Sequence, residues 1–304
     1  MSLFSRAVVS ATRIPVVSRA VTGTTPGRAV AERFVAGDDL DEASDVARTL
    51  NAAGLTVSLD LLGEEVRDLS AAESARDAYL ESIDRISAAG LDANVSIKLT
   101  QLGLSLDRAL AVDSVEALAE RAAQAGTTVT IDMEASEFTE ATVDIYADAQ
   151  GRHGNLGLCL QAYLRRTPAD LERLLPLGGH IRLCKGAYVE PPSIAFTSRA
   201  EVDAAFARLL EPLMADERVK PAIATHDDDL IQLAIRHADH RSAPWEMQML
   251  YGVRPNLQAD LVRQGVSVRI YVPFGSEWYA YLTRRMAERP ANLAFFARAL
   301  LGRG

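Results

Sequence analysis

The sequence predicts an α/β fold, a (βα)8 barrel of the TIM type. Three observations support this prediction: short β-branched runs recur eight times, stretches with helix start and stop signals separate them, and the strands are largely apolar. Such strands are typical of a parallel sheet covered by helices, and eight such units close into a barrel. A doubly wound open sheet is the alternative, and the missing Gly-x-Gly-x-x-Gly after the first strand weakens it.

The predicted strands and the helix signals follow one another in a regular order. The strands span residues 55–62, 93–100, 127–134, 156–163, 180–187, 220–226, 245–250 and 267–273. Ser70-Ala-Ala-Glu73 and Ser198-Arg-Ala-Glu201 have the spacing of capping boxes, and Thr167-Pro168 places a proline in a first helical turn. Glycines are expected to close helices just before strands at Gly54, Gly90, Gly126 and Gly265.

We expect the chain to divide into an N-terminal helical segment, residues 1–50, and a barrel domain, residues 51–304, with a C-terminal helix over the barrel mouth. The first 31 residues carry four arginines and no acidic residue. Three interpretations are open for them: a docking helix at the domain edge, a contact with a membrane surface, or a targeting segment.

Composition excludes several classes of function. A net charge of −9 and 6% aromatic residues argue against nucleic-acid binding. No apolar run approaches the roughly 18–20 residues of a membrane-spanning helix. The two cysteines, Cys159 and Cys184, form neither a disulfide framework nor a zinc-binding spacing, so we expect both to be small buried hydrophobic residues.

Polar residues collect at the carboxyl ends of the strands, where barrels of this type place their active sites. They are Glu64, Lys98, Asp132, Glu134, Gln161, Arg182, Lys185, His226, Gln248 and Tyr271. Lys98 and Asp132, on neighbouring strands, could pair across the mouth, either as part of a site or as a structural salt bridge. His226 has no partner histidines at strand ends, so no metal site is expected.

The pair Arg284–Arg285 follows Tyr281 by three and four residues. In a helix, residues three and four positions apart lie on the same face, so the phenol and both guanidinium groups would be able to contact the same ligand. Paired arginine donors suit a small carboxylate, although a solvated helix face is the ordinary interpretation of such a pair.

Seven segments in order resemble the proline dehydrogenase family, in its compact single-function bacterial form. They are Ser96-Ile-Lys-Leu-Thr100, Ile131-Asp-Met-Glu134, Leu160-Gln-Ala-Tyr163, Arg182-Leu-Cys-Lys-Gly-Ala-Tyr188, Ala224-Thr-His226, Gln248-Met-Leu-Tyr-Gly-Val-Arg254 and the arginine-pair stretch 271–292. The resemblance covers about residues 55–300. It implies oxidation of L-proline to 1-pyrroline-5-carboxylate, with hydride transfer from proline C5 to the N5 atom of FAD and electrons then passing to a quinone.

The resemblance also implies roles for individual residues. FAD would be contacted by Met133, Gln161, Arg182, Lys185, Gly186, Ala187, Thr225 and His226. Proline would be bound by Lys98, Tyr271, Tyr281, Arg284 and Arg285, with Asp132 and Arg182 as the catalytic pair and Glu64 as a gate. Asp227 stands where the family usually has asparagine, which puts one cofactor contact in question. The expected location is the cytoplasm, with a possible peripheral contact on the inner face of the cell membrane.

Two other functions are open. One is a flavin barrel of the methylenetetrahydrofolate reductase type, which would use NAD(P)H and would have no reason for a paired-arginine clamp. The other is a barrel without catalytic activity that binds a partner or a metabolite. Reduction of a bound flavin by proline, by NADH or by neither separates the three functions.

Overall fold

The computed structural model describes residues 33–63, 66–278 and 281, which form a closed barrel of eight parallel strands. The strands are β1 (Thr56–Leu61), β2 (Ala93–Ile97), β3 (Val129–Ile131), β4 (Leu156–Gln161), β5 (Gly179–Cys184), β6 (Val219–Ala224), β7 (Glu246–Leu250) and β8 (Val268–Phe274). Each pairs with its neighbours in sequence order, and β1 closes the barrel against β8. The predicted (βα)8 barrel is confirmed. Most strands end earlier than predicted, because the chain leaves the sheet where the polar side chains gather at the mouth.

Of the eight helices whose bounds lie within the described residues, one precedes the first strand and the other seven each connect two strands. The helices are α1 (Leu40–Ala52), α2 (Leu69–Ala88), α3 (Arg108–Gln124), α4 (Ser136–His153), α5 (Thr167–Leu174), α6 (Arg199–Ala215), α7 (Asp228–Ala238) and α8 (Pro255–Arg263). The predicted capping box of Ser198 and Glu201 begins α6. The predicted box at Ser70 is wrong, because Asp68 caps α2 by accepting a hydrogen bond from the Ala71 N–H group. The four glycines predicted to precede strands all have positive φ angles.

The two faces of each strand differ in chemistry. On β1, Val57 and Leu59 belong to the apolar layer beneath the helices, whereas Ser58 and Asp60 are buried polar residues. The same alternation occurs on β2, where Asn94 is hydrogen-bonded to the Thr130 side chain of β3, 3.1 Å away. The hydrophobic core therefore lies between strands and helices, and the barrel interior is a polar column that leads to the mouth.

The N-terminal side of the described chain is attached to the barrel by α1, which packs against β1 and β8. The backbone N–H group of Ala36 also donates to the carbonyl oxygen of Pro273, 2.8 Å away. Residue 50 falls within α1, and the division of the chain at that residue stays a prediction. No helix within the described ranges is both long enough and apolar enough to cross a membrane.

Candidate active site

Asp132 lies at the centre of a charged cluster at the carboxyl ends of the strands. It accepts hydrogen bonds from the Tyr271 hydroxyl group at 2.6 Å, from Ser96 Oγ at 3.1 Å and from the Arg182 guanidinium group. Lys98 Nζ lies 3.6 Å from its second carboxylate oxygen. The structure thus brings together four residues that the sequence places on four different strand ends. Burial, reinforced by the Asp132 charge, raises the pKa of Tyr271 well above its usual value, so the phenol stays a donor.

Asp60 is a member of this cluster that the sequence interpretation missed. Its carboxylate is only 1% exposed and forms the closest ion pair of Lys98. Burial raises the pKa of Asp60, and although burial opposes it, the charges of Asp60 and Asp132 raise the pKa of Lys98. The only local signal was an acidic residue late in the first strand. The predicted pair of Lys98 with Asp132 is real, but it is the longer of the two ion pairs.

Arg182 connects the cluster to the barrel interior. Its Nε donates to Gln248 Oε1 at 2.6 Å, its Nη1 donates to Ser96 Oγ at 3.0 Å and to Asp132, and its guanidinium carbon lies 5.2 Å from the centre of the Tyr271 ring. The third nitrogen, Nη2, is buried and has no hydrogen-bond partner among the described residues. A buried donor without a partner is costly, so this atom is suited to an acceptor on a bound molecule.

Gln161 and the turn after β5 form a second part of the mouth. Gln161 Oε1 accepts from the Ala187 N–H group at 3.2 Å, and its Nε2 donates to the Glu134 carbonyl oxygen at 2.9 Å. Gly186 has a φ of +117°, and a Cβ atom there would lie 2.2 Å from the Tyr163 ring. The family resemblance implied only that this turn contacts FAD. The structure shows a different requirement for glycine, the packing of Tyr163.

Lys185 lies in a separate ionic cluster on the rim. It pairs with Asp203 and, at 2.9 Å, with Asp227 Oδ2. Arg199 Nη2 also lies 3.0 Å from this Asp227 oxygen. Although burial opposes it, the positive charges of Lys185 and Arg199 lower the pKa of Asp227. Any phosphate bound by Lys185 would compete with these two carboxylates for it.

The remaining predicted cofactor residues have defined surroundings. Thr225 Oγ1 accepts from the Asp227 N–H group at 3.1 Å. His226 Nε2 accepts from the Leu250 N–H group at 3.1 Å, which places the ring proton of a neutral imidazole on Nδ1. Met133 is buried in the hydrophobic core.

The gate residue Glu64 and the pair Arg284–Arg285 lie outside the described residues, whereas Tyr281 is described and buried. The part of the chain that the structure describes contains no group of three or more histidine, cysteine, aspartate or glutamate residues that could hold a metal ion.

A second buried network lies deeper in the barrel and was not predicted. Glu246, which is fully buried, lies 2.7 Å from Arg269 Nε and 2.7 Å from Lys220 Nζ. Gln248 Nε2 donates to Glu246 Oε1 at 2.7 Å and so connects this carboxylate to Arg182. Although burial opposes ionisation, His180 and Arg269 hold the pKa of Glu246 well below its usual range.

Comparisons with known proteins agree with this arrangement. The sequence profile of the proline dehydrogenase family matches residues 43–298. The chain is 38% identical over 274 residues to proline dehydrogenase 1 of Bacillus subtilis subsp. natto, covering 89% of this chain and 90% of the relative. It is 35% identical over 282 residues to the proline dehydrogenase of Deinococcus radiodurans, covering 90% of each.

Solved structures show the same fold. Proline utilization A (PutA) from Bdellovibrio bacteriovorus, inactivated by N-propargylglycine, superposes with a TM-score of 0.81 at 23% identity. The match covers 86% of this chain and 33% of that protein, so the chain spans about a third of its length. The family profile and the identity to full-length relatives together show that the chain belongs to the proline dehydrogenase family.

Proposed function

We propose that this chain oxidises L-proline to 1-pyrroline-5-carboxylate with FAD as the hydride acceptor. The observation that carries the proposal is the cluster of Lys98, Asp132, Arg182 and Tyr271 at the mouth of a barrel of the proline dehydrogenase family. In this cluster the positive charges of Lys98 and Arg182 balance the negative charges of Asp60 and Asp132. A balanced set of buried charges suits a zwitterionic amino acid better than an anionic substrate.

The residues at the mouth fit a flavin. Members of the family are generally flavin-dependent. Arg182 offers a buried donor, Nη2, that has no partner in the described part of the chain, and Gln161 holds the Ala187 turn by a hydrogen bond. We assign FAD binding to Arg182, Gln161, Lys185, Gly186 and Ala187, with Met133, Thr225 and His226 at its edges. When bound, FAD supplies the two-electron acceptor that no protein side chain provides.

The substrate side is assigned to the residues around Asp132. In our proposal, Arg284 and Arg285 bind the proline carboxylate, and Tyr271 and Tyr281 pack against the ring. The carboxylates of Asp60 and Asp132 attract the secondary ammonium group, which loses a proton before oxidation. The C5–H bond then breaks with its electron pair, while the nitrogen lone pair forms the C=N bond. The protein contributes mainly orientation and the electrostatic field around the nitrogen.

The route of the electrons after proline oxidation is also part of the proposal. A quinone is the proposed final acceptor, which would require a peripheral contact with the inner face of the cell membrane. The support is the resemblance and the four arginines in residues 1–31, a stretch without acidic residues. Glu64 is proposed as a gate, an acid that pairs with the arginine-pair stretch 271–292 and closes the site.

The proposal is tested by the visible absorption spectrum of the purified protein before and after addition of L-proline. We expect a flavin band that is bleached by L-proline and not by D-proline or NADH. Bleaching by NADH alone would favour a reductase of the methylenetetrahydrofolate type. A colourless protein that does not take up added FAD would favour a barrel without catalytic activity.

A further inference from the structure

The two cysteines of the chain lie side by side inside the barrel mouth. Cys159 on β4 and Cys184 at the end of β5 are free thiols, and their sulfur atoms are 3.6 Å apart. The register pairs Cys159 with Arg182 and Gln161 with Cys184, so both sulfurs share the interior face with Arg182. Cys159 is buried, whereas Cys184 is partly exposed. The pair can therefore be reached through Cys184.

The surroundings favour a reactive thiol. Although burial opposes it, the hydrogen bond from Cys184 and the Arg182 charge lower the pKa of Cys159. The hydrogen bond with Cys159, burial and the Cys159 charge raise the pKa of Cys184 well above its usual value, so Cys159 is the thiol of the pair that ionises first. The thiolate is the form of cysteine that reacts with electrophiles.

The distance between the sulfurs indicates which reaction suits the pair. A disulfide requires sulfurs about 2.05 Å apart, and diagonal neighbours on adjacent strands have Cα atoms roughly 7–8 Å apart, longer than disulfides usually span. One soft three-coordinate atom that carries a lone pair is pyramidal, and two bonds to thiolates of about 2.3 Å at an angle of roughly 100° hold the sulfurs roughly 3.5 Å apart. The observed 3.6 Å is close to the second value and far from the first.

We propose that Cys159 and Cys184 form a dithiol site that takes one trivalent arsenic atom of an organic arsenical as a bridge between its two sulfurs. With phenylarsine oxide as the reagent, two S–H bonds and the arsenic–oxygen bond break, two arsenic–sulfur bonds form, and water leaves. No electrons are transferred, so no oxidant is needed. The phenyl group extends from the partly exposed Cys184 toward the mouth.

The bridge has a consequence for the cofactor, which rests on the proposed function. Cys184 is two residues before Gly186, in the turn assigned to FAD, and two residues after Arg182. A phenylarsenic group on Cys184 adds bulk between Arg182 and the turn at Gly186. The adduct and FAD therefore exclude one another.

The test titrates the full chain with phenylarsine oxide, as isolated and after flavin removal, and follows intact mass and free thiols. We expect one phenylarsenic group per chain and the loss of both thiols. We expect excess 2-mercaptoethanol to leave this adduct intact, because a monothiol competes poorly with two arsenic–sulfur bonds to one protein site. Dimercaptopropanol, which is itself a dithiol, should remove the arsenic. The variants Cys159→Ser, Cys184→Ser and Cys184→Val retain no adduct after 2-mercaptoethanol.

Two kinds of result overturn the dithiol site: thiols that stay titratable in both preparations, or an adduct that survives 2-mercaptoethanol in a variant with a single cysteine. Flavin retention is measured separately on the same samples. An adduct that forms while FAD stays bound contradicts the placement of FAD and leaves the dithiol site supported. Absence of the adduct in a chain whose flavin is bleached by proline overturns the dithiol site and leaves the proposed function supported.

Discussion

Lys98 is the cation that two acidic side chains of the cluster share. It lies between the carboxylates of Asp60 and Asp132, and its side chain is 14% exposed. A buried charge is tolerated only when it is paired, and removal of one partner leaves the other uncompensated. Asp60, with 1% exposure, therefore depends on Lys98 for its ionised form.

Replacement of Lys98 tests this dependence. We expect Lys98→Met to lower the free energy of unfolding by about 3–5 kcal/mol, because Asp60 keeps its burial and loses its cation. The double variant Lys98→Met/Asp60→Asn should recover part of the loss. Urea unfolding at neutral pH measures both. A double variant less stable than the single one would contradict the assignment.

Arginine replacement tests the substrate assignment. We expect Arg284→Met and Arg285→Met each to raise the KM for proline about tenfold to a hundredfold, since a hydrogen bond to a charged group contributes about 1.5–3 kcal/mol. The bound flavin should be retained. The control is Arg263→Met, which removes an exposed arginine of α8 that pairs with Asp260. An unchanged KM in both test variants would remove the carboxylate assignment.

At the scale of elements, the turn after β5 is shaped by its contact with β4. Gly186 and Tyr163 fit together because the glycine has no Cβ atom and adopts a positive φ. The same turn places the Ala187 N–H group on Gln161. Strand pairing alone does not create this turn, since β5 ends at Cys184.

A change of Gly186 to alanine should disturb both the turn and the cofactor site. We expect Gly186→Ala to lower the free energy of unfolding by about 1–3 kcal/mol through backbone strain alone, with the Tyr163 contact adding to it, and to weaken FAD retention. Gly151→Ala is the matched control, because this glycine lies within α4 and a Cβ atom there meets nothing within 4 Å. The control should be neutral or more stable by up to about 1 kcal/mol. Thermal unfolding and bound flavin per chain measure the two effects, and equal behaviour of the variants would contradict the argument.

At the scale of the whole molecule, the barrel interior is a continuous polar network. Glu246 holds Lys220 and Arg269 in its deeper part, and Gln248 connects it to Arg182 at the mouth. The hydrogen-bond network that orients Arg182 therefore extends through Gln248 to Glu246, well below the candidate active site. A lost carboxylate at position 246 would leave Arg269 buried without its counter-ion.

The pH dependence of stability follows from Glu246. Its pKa in the folded protein lies well below the usual 4.5. The stability that this group contributes is therefore fully present above that value and is lost as the pH falls through the lowered pKa of the folded state. We expect Glu246→Gln to be less stable than the unmodified chain at neutral pH, with the difference shrinking as the solution is acidified. Urea unfolding at a series of pH values measures it, and parallel stability curves would contradict the role of Glu246.

Local sequence patterns were sufficient to predict the order and the number of the βα units in the barrel. Strand runs, proline at a helix start and glycine at helix ends act within a few residues, so they can be recognised along the chain. The placement of Lys98, Asp132, Arg182 and Tyr271 at one mouth also followed, because the carboxyl ends of parallel strands share one end of a barrel.

Patterns along the chain were enough to predict the (βα)8 barrel, the family and the principal polar residues of the mouth. The folded barrel was needed to show that Asp60 is the closest partner of Lys98, that Glu246 is connected to Arg182, and that the sulfurs of Cys159 and Cys184 meet. These contacts join different strands, and their register is set when the whole barrel closes. Barrel closure depends on side-chain packing along the entire chain, so no local pattern records it.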